Sequence, residues 1–322
     1  MRRREVIALL CGMAGGPLAA RAQTRSVGRK IGFLHPRTVA PDFPTLTVLR
    51  PVWERLGYIE NETFLLRSAE SDPRRLPALA NELIELGIGV LIAVGPVAVR
   101  AASRVGGVPI VAIDLETDPV RTGLAASFHR PGGNVTGLFV DQPSLAGKWI
   151  ELLREAAPQV ERVALVFDPD TTRDQLVAAL DAAREKTVEA VVLELRGSDD
   201  YEAPFEGLGA IRKTGIVQLG SPGFSVGAVR FAIAAQRRLL PSISFIKPYA
   251  RAGLLMTYGP NTDLYWPRAV VLADRILKGE KPGDLPIERP DKFELVINLK
   301  TAKAIGLDIP SSLLTLADEV IE

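Results

Sequence analysis

The sequence predicts an α/β protein with two doubly wound parallel-sheet lobes joined by three crossing segments. From Lys30 onward, short apolar runs alternate with segments of helical periodicity, a rhythm that implies right-handed crossovers and a parallel sheet. The alternation pauses over residues 114–140 and then resumes, which indicates a second sheet. A late helix and a late return strand indicate that the chain passes between the lobes three times.

The first βα series consists of short apolar strands, as expected where helices cover both faces of a sheet. These predicted strands are Lys30–His35, Phe64–Ala69, Val90–Val94 and Ile110–Ile113. Prolines open the predicted helices between them, since proline suits the first helical turn. These helices are Pro44–Leu56, Pro73–Leu86 and Pro96–Arg104.

The second series follows a segment that is rich in turn residues and holds one short strand, Val135–Phe139. Its predicted strands are Val163–Phe167, Ala190–Leu195, Ile216–Leu219, Ser242–Phe245, Leu254–Tyr258 and Glu294–Asn298. Its predicted helices are Ser144–Ala157, Thr171–Lys186, Tyr201–Thr214, Phe224–Leu239 and Asp263–Lys278. Alternating elements of this kind again predict a parallel sheet covered by helices.

These patterns place the lobe boundaries at the crossing segments. Lobe 1 is expected to comprise residues 27–117 and 260–284, and lobe 2 residues 118–259 and 285–322. Open α/β sheets keep their ligands outside the carboxyl ends of the strands. The expected site is therefore the cleft between the lobes.

The N-terminus has the layout of a secretory signal peptide, residues 1–22. Arg2, Arg3 and Arg4 precede a weakly apolar stretch, and small residues at Ala20 and Ala22 provide a cleavage site near Ala22. The paired arginines and the glycine-containing apolar stretch favour the twin-arginine route. The alternative is an amphipathic N-terminal helix of a cytoplasmic protein.

Composition excludes several classes of function. The net charge of +1 gives no reason to expect a nucleic-acid partner. The chain has two histidines, His35 and His129, and one cysteine, Cys11, so we expect no metal site, no cofactor and no disulfide framework. Nucleophile-elbow, Walker and dinucleotide-binding motifs are also missing from the sequence. We therefore expect that the protein is not an enzyme.

Several blocks of the sequence resemble one family over essentially the whole chain: substrate-binding proteins of ABC transporters of the tryptophan/tyrosine type. The blocks are Asp118-Pro119-Val120, Arg130-Pro-Gly-Gly-Asn-Val-Thr-Gly137, Ser144-Leu-Ala-Gly-Lys-Trp-Ile-Glu-Leu-Leu153, Ala273-Asp-Arg-Ile-Leu-Lys-Gly279, Lys292-Phe-Glu-Leu-Val-Ile-Asn-Leu-Lys-Thr-Ala-Lys-Ala-Ile-Gly306 and Ala317-Asp318-Glu319-Val320-Ile321.

The resemblance implies the type I periplasmic binding protein fold and a monomeric protein in the periplasm. It also implies that a small ligand, an amino acid or an aromatic or carboxylate compound, is captured by hinge closure and delivered to an ABC permease. Two rival functions remain open. One is a periplasmic ligand-sensing module for a membrane receptor, and the other is an exported hydrolase.

The turn Gly95-Pro96-Val97 and the acidic residue Asp118 are two candidate ligand contacts. The turn joins a strand to a helix start, whose free N–H groups and positive dipole end can hold a carboxylate. The family usually has a hydroxyl residue there, and this chain does not, so an ordinary turn is the alternative. Asp118 could pair with a ligand ammonium group, or it could cap a turn that Pro119 stiffens.

His35, Ser221 and Tyr258 complete the candidate ligand contacts. His35 ends the first strand and could hydrogen-bond a ligand, or it could be a surface loop histidine. Ser221 occupies the matching place in the second lobe, with a plain loop serine as the alternative. Tyr258 at the second crossing could stack on a planar ligand or pack at the hinge.

Three further features are assigned structural roles. Trp149 lies at helical spacing with leucines, which predicts core packing. Trp266 opens a helix and is also expected to pack, with contact to the cleft as the minority alternative. Asp168-Pro169-Asp170 is followed by too few regularly spaced oxygen ligands for a calcium loop, and it is expected to be a strand-to-helix turn.

Overall fold

The computed structural model describes residues 29–39, 43–140, 142–169, 171, 173–196, 200–208 and 213–322. The expected signal peptide, residues 1–22, lies outside the described residues. Two sheets organise the described part of the chain. The five-stranded sheet and the helices packed on it form lobe 1, and the seven-stranded sheet with its helices forms lobe 2.

The sheet of lobe 1 is parallel throughout, with strand order β2-β1-β3-β4-β5. Its strands are β1 Ile31–His35, β2 Phe64–Ser68, β3 Val90–Val94, β4 Ile110–Asp114 and β5 Val135–Phe139. Every residue of β1, β3, β4 and β5 is buried, because helices cover both faces of the sheet.

The sheet of lobe 2 has the order β12-β11-β10-β9-β8-β6-β7, and only the β10–β11 pair is antiparallel among its described strands. Its strands are β6 Arg162–Phe167, β7 Glu189–Glu194, β8 Thr214–Gln218, β9 Ser242–Ser244, β10 Met256–Pro260, β11 Phe293–Asn298 and β12 Glu319–Ile321. The last strand was not predicted, since three residues are too few to carry a periodic pattern.

Helices connect the strands, and several begin with proline in the first two positions, as expected. The described helices are α1 Pro44–Arg55, α2 Leu76–Glu85, α3 Gly95–Val105, α4 Ala146–Ala156, α5 Arg173–Glu185, α6 Glu202–Glu206, α7 Pro222–Arg237, α8 Lys247–Ala252, α9 Thr262–Tyr265, α10 Pro267–Leu277, α11 Leu299–Ile305 and α12 Ser311–Leu316. The helices α8, α11 and α12 were not predicted, because each spans fewer than eight residues and shows little periodicity. None of the described helices is long and apolar enough to cross a bilayer.

Lobe 1 extends further along the chain than the sequence boundaries suggested. β5 pairs with β4 along its whole length. Glu288 then adds to the outer side of β5, since its N–H donates to Gly137 O at 2.8 Å and its carbonyl accepts from Phe139 N at 3.0 Å. β5 and Glu288, which we expected in lobe 2, therefore belong to the sheet of lobe 1, and Ala125 in the segment before β5 packs in the hydrophobic core of the same lobe. The turn-rich composition that suggested a crossing there is equally typical of a long loop within one lobe.

The late helix α10 lies on lobe 1. It packs against α1 and β3, and Tyr58, just after α1, donates its hydroxyl to Asp274 Oδ1 at 3.0 Å. Tyr265, the last residue of α9, donates its hydroxyl to the carbonyls of Phe139 at 3.1 Å and Glu288 at 2.6 Å. The chain thus crosses between the lobes after β5, after β10 and before β11.

We expect Gly137→Ala to lower the free energy of unfolding by about 3 kcal/mol or more. Gly137 has a φ of +141°, and a Cβ atom there would lie 2.1 Å from Ala112 O on the neighbouring strand. Urea unfolding followed by circular dichroism measures the loss. In the control Gly133→Ala the new Cβ atom meets nothing closer than 3.8 Å, so the change should stay below about 1 kcal/mol. Equal losses in the two variants would contradict the tight β4–β5 approach.

Candidate functional site

The carboxyl ends of strands from both lobes meet at one cleft. β1, β3 and β4 end there in lobe 1, and β8 and β9 end there in lobe 2. The cleft encloses a cavity of ≈ 40 Å³, which has room for about three water molecules. A ligand of amino-acid size therefore needs the lobes further apart to enter. A smaller cavity of ≈ 20 Å³ adjoins it.

His35 ends β1 and lines the cavity. The side chain is buried, stacks parallel to Phe33 and meets the ring of Phe43 edge-on, with centroids 5.0 Å apart. Its Nδ1 lies 3.2 Å from the backbone N of Arg37. Burial lowers the pKa of His35 to about 4, so the ring is neutral at neutral pH. The prediction that His35 faces the cleft is consistent with this position, and the surface-loop alternative is wrong.

The turn at the start of α3 lies on the cleft and touches lobe 2. Gly95 lines both cavities and has a φ of +76°. A Cβ atom at Gly95 would lie 2.9 Å from Pro222 Cγ of α7, so glycine allows the two lobes to approach. Pro96 and Val97 line the smaller cavity.

Ser221 caps the N-terminus of α7 and lines both cavities. Its Oγ accepts a hydrogen bond from Gly223 N at 2.9 Å and donates a short one to Asp168 Oδ2. The hydroxyl proton is thus directed to a protein carboxylate. Ser221 is at the predicted cleft wall, but its hydroxyl is already engaged.

A buried ion pair joins the lobes across the cleft. Arg37 Nη2 of lobe 1 lies 3.0 Å from Asp168 Oδ2 of lobe 2, and the two side chains are 8% and 0% exposed. Asp168 directly follows β6 and does lie in a turn, since Thr171 N donates to its carbonyl at 3.0 Å. The sequence did not reveal the charge pairing, because its two partners are 131 residues apart. A second interlobe pair, Arg121 with Asp174 at 3.0 Å, is exposed.

Glu116 is the acidic residue that the structure places in the cavity wall. The residue is 3% exposed, and its Oε2 has no hydrogen-bond partner among the described residues. Burial first, and then the charge of Asp114, raise the pKa of Glu116 well above the ordinary range. Asp114 is held by its own contacts, since its Oδ1 accepts from the backbone N–H groups of Glu116 and Thr117 at 3.0 Å each. The described residues include no cluster of three or more side chains that could hold a metal ion.

Asp118 lies two residues beyond Glu116 and performs a different task. Its Oδ1 accepts from Val120 N at 2.7 Å and Arg121 N at 3.1 Å, which is the geometry of a capped turn. It is not among the residues that line either cavity. The structure therefore places Asp118 in the alternative role, as a turn cap.

Tyr258 lies on β10 and packs at the crossing. Its ring stacks on Phe293 with centroids 5.9 Å apart, and its carbonyl accepts from Trp149 Nε1 at 2.7 Å. It does not line either cavity. Trp149 itself is buried in the core, as predicted.

Apolar groups form most of the cavity wall, and sequence reasoning gave most of them no role. Phe43, Phe245, Ile246 and Trp266 line it together with residues at the end of β4. Trp266 is 7% exposed and belongs to the hydrophobic core, so it packs and contacts the cleft at once. Its Nε1 is buried without a hydrogen-bond partner among the described residues. The rule that strand ends face the cleft, applied at β4, would have found Leu115 and Glu116.

Three kinds of comparison connect this geometry to known proteins. Residues 54–321 match a family described as ABC transporter substrate binding protein. The "Tyrosine-binding protein" of Clostridioides difficile is 24% identical over 260 residues, which cover 79% of this chain and 74% of that protein.

Solved structures share the fold. The ABC domain in complex with L-Trp from Streptococcus pneumonia has a TM-score of 0.79 at 20% identity, covering 91% of this chain and 100% of that one. A conserved domain protein from Vibrio cholerae has a TM-score of 0.78 at 21% identity, covering 91% and 99%. A periplasmic binding protein/LacI regulator from Alkaliphilus metalliredigens has a TM-score of 0.55 at 15% identity, covering 83% and 97%. These matches confirm the predicted two-lobed type I periplasmic binding protein fold.

We expect the burial of His35 to make the stability pH-dependent. The pKa is about 4 in the folded protein against 6.5 for an unperturbed histidine, so the unfolded chain takes up a proton that the folded one excludes. The contribution of His35 to the free energy of unfolding is fully present above pH 6.5. It falls as the pH is lowered to about 4, by about 3 kcal/mol in all.

Urea unfolding at several pH values tests this dependence. His35→Gln should flatten the slope between pH 6.5 and about 4, and the control His129→Gln, at an exposed position, should change the slope less. An unchanged slope in His35→Gln would show that other groups cause the pH dependence.

A double-mutant cycle tests the buried interlobe pair. We expect a coupling energy of about 2 kcal/mol or more between Arg37 and Asp168, from the unfolding free energies of Arg37→Ala, Asp168→Ala and the double variant. The matched control is Arg121–Asp174, which joins the same lobes at the same 3.0 Å but is 63% and 37% exposed. Its coupling should stay below about 1 kcal/mol. Similar coupling energies for the two pairs would contradict the expectation that burial strengthens the pair between Arg37 and Asp168.

Proposed function

Because the chain belongs to the ABC transporter substrate binding protein family, we propose that it captures a small organic molecule between its lobes and delivers it to a membrane importer. The observation that carries this proposal is the composition of the cavity wall. Both lobes contribute to the wall, which is largely apolar and contains a buried carboxylate oxygen that has no hydrogen-bond partner in the described part of the chain. Such a wall is typical of a ligand pocket, in which a few polar groups orient the ligand and apolar groups supply affinity.

Capture requires the lobes to separate and close. The cavity of ≈ 40 Å³ is too small to admit a ligand of amino-acid size without opening. The three crossing segments can act as the hinge, since a few residues at the ends of elements absorb such rotations. On closure, Arg37 meets Asp168 and Gly95 meets Pro222, so these contacts favour the closed form.

The wall chemistry favours a ligand with a positive group and an aromatic or apolar body. Glu116 presents an acceptor that a ligand ammonium group would satisfy by a charge-assisted hydrogen bond. Phe43, Phe245 and Trp266 supply ring faces and edges. The relatives that are named for tyrosine or solved with L-Trp support a ligand of similar size and aromatic character.

Ser221, Asp168 and His35 gather at the cleft, but the contacts described for them are not those of a hydrolytic triad. The Ser221 proton goes to Asp168 rather than to the imidazole, whereas a catalytic serine needs a histidine base. A histidine whose pKa is about 4 is also a weak base at neutral pH. These contacts support a binding role without catalysis.

The N-terminal residues support export to the periplasm. Residues 1–22 combine paired arginines, a weakly apolar stretch and a cleavage site near Ala22. A protein that serves an importer would act there as a mature monomer. In its ligand-bound form this monomer would bind an ABC permease.

A thermal-shift titration tests capture. At ligand concentrations about 100 times Kd, binding stabilises the folded state by about 2.7 kcal/mol and should raise Tm by about 5 °C. The mature protein is screened with aromatic amino acids, aromatic amines and aromatic carboxylates. Glu116→Gln should reduce the shift for ammonium-bearing compounds, while the exposed control Glu85→Gln should not. The proposal fails if no compound in any of the three classes raises Tm.

A further inference from the structure

The start of α1 forms part of the cavity wall and offers a backbone donor to it. Phe43 precedes the helix without providing a side-chain cap, Thr45 lies in its first turn, and both residues line the cavity. Pro44 has no N–H. The N–H groups of Leu46 and Thr47 donate to Phe43 O at 2.9 Å and 3.1 Å. The N–H of Thr45 has no hydrogen-bond partner among the described residues, so it is the donor that this helix start can offer to a ligand.

The hydroxyl group of Thr45 is a second donor at the same place. The residue is 5% exposed, and its side chain makes no hydrogen bond within the described part of the chain. The two serine hydroxyls that line the cavity do have partners, since Ser221 bonds Asp168 and Ser225 lies 3.0 Å from the hydroxyl of Tyr249. A buried hydroxyl without a partner is costly, which points to a ligand group as the partner of Thr45.

Trp266 contributes a third donor to the same cavity. Its Nε1 is buried and has no hydrogen-bond partner among the described residues. The cavity of ≈ 40 Å³ has room for about three water molecules, so the three donors lie within reach of one small ligand. Several N–H and O–H donors at the positive end of a helix dipole suit an anionic group such as a carboxylate.

The acidic residues near the cavity leave room for such an anion. Burial raises the pKa of Asp114, and burial together with the charge of Asp114 raises the pKa of Glu116 well above the ordinary range. Both changes favour the neutral carboxyl group. Asp168 is compensated by Arg37, which lies 3.0 Å away. The Oε2 atom of Glu116 has no partner among the described residues, and it can accept from a ligand ammonium group.

We propose that the start of α1 is the carboxylate subsite for an α-amino acid, whose carboxylate accepts from the N–H and hydroxyl of Thr45 while its ammonium group binds Glu116. This inference rests on the proposed function and specifies its substrate class and a residue that selects it. In an α-amino acid the carboxylate carbon lies only about 2.5 Å from the ammonium nitrogen. Residues that line one small cavity can therefore bind both groups. The start of α3, Gly95-Pro96-Val97, carries no hydroxyl group that could serve instead.

The polar contacts of this site come from one lobe. Thr45 lies on α1, Glu116 follows β4, and Trp266 precedes α10, all of which belong to lobe 1. Lobe 2 contributes the apolar residues Phe245 and Ile246 after β9. Lobe 1 thus holds the amino-acid group in the open form, and lobe 2 covers the ligand side chain on closure.

Isothermal titration calorimetry with matched compounds tests the inference on the mature protein at neutral pH. The probes are L-tryptophan, tryptamine, which lacks the carboxylate, and indole-3-propionate, which lacks the ammonium group, and the corresponding tyrosine series. We expect the amino acid to bind at least about 10-fold more tightly than either analogue. If an analogue binds as tightly as the amino acid, the inference is wrong while the proposed capture function stands. If no compound binds, both are wrong.

The variant Thr45→Val tests the subsite itself. It removes a hydroxyl that has no partner to lose within the described part of the chain, so we expect the variant to fold. L-Tryptophan should lose about 10-fold in affinity, whereas tryptamine, which has no carboxylate, should keep its affinity. Thr45→Ser retains the hydroxyl and should bind both compounds as the wild type does.

The matched control is Thr47→Val, the same substitution at an exposed position of α1. It should leave both affinities unchanged. Equal losses for L-tryptophan and tryptamine in Thr45→Val, or no loss for L-tryptophan, would place the carboxylate elsewhere and overturn the inference. Thr45→Ala, which also lacks the hydroxyl, takes the place of Thr45→Val if that variant does not fold.

Discussion

The buried pair between Arg37 and Asp168 is the interaction on which the geometry of the cleft depends. Each charge comes from a different lobe, and both side chains are shielded from water. A buried charge without a partner is costly, so closure of the lobes, which buries the two charges, also has to bring them together. The pair also orients Ser221 through Asp168, and Ser221 in turn caps α7. Asp168 therefore connects the contact between the lobes to the cap of α7.

Burial acts in opposite directions on the two titratable groups of the cavity wall. It lowers the pKa of His35 and raises that of Glu116, and both changes favour the neutral form. The cleft therefore keeps its ion pair at the lobe contact and presents uncharged groups to the cavity. A cationic ligand would restore the charge on Glu116, which links ligand binding to proton release.

Strand ends explain why part of the site was predictable. The positions of His35, Gly95 and Ser221 at the cleft were predictable because each ends a strand or follows one within three residues, and parallel strands bring such positions to one edge. Asp118 was misplaced because the end of β4 lies four residues earlier, at Asp114. Tyr258 belongs to a strand that does end at a crossing, but its ring turns to Phe293 rather than to the cavity. Side-chain direction at a hinge depends on partners that are distant in the chain.

The sequence by itself determined the α/β class, the two series of strands, most strand positions and the family. Each of these depends on local periodicity or on contiguous blocks of residues, which a single chain displays directly. Only the tertiary structure decided that β5 belongs to the sheet of lobe 1, that Arg37 meets Asp168, and that Glu116 rather than Asp118 faces the cavity. These facts depend on contacts between residues far apart in the chain and on burial, and burial exists only once both lobes have packed.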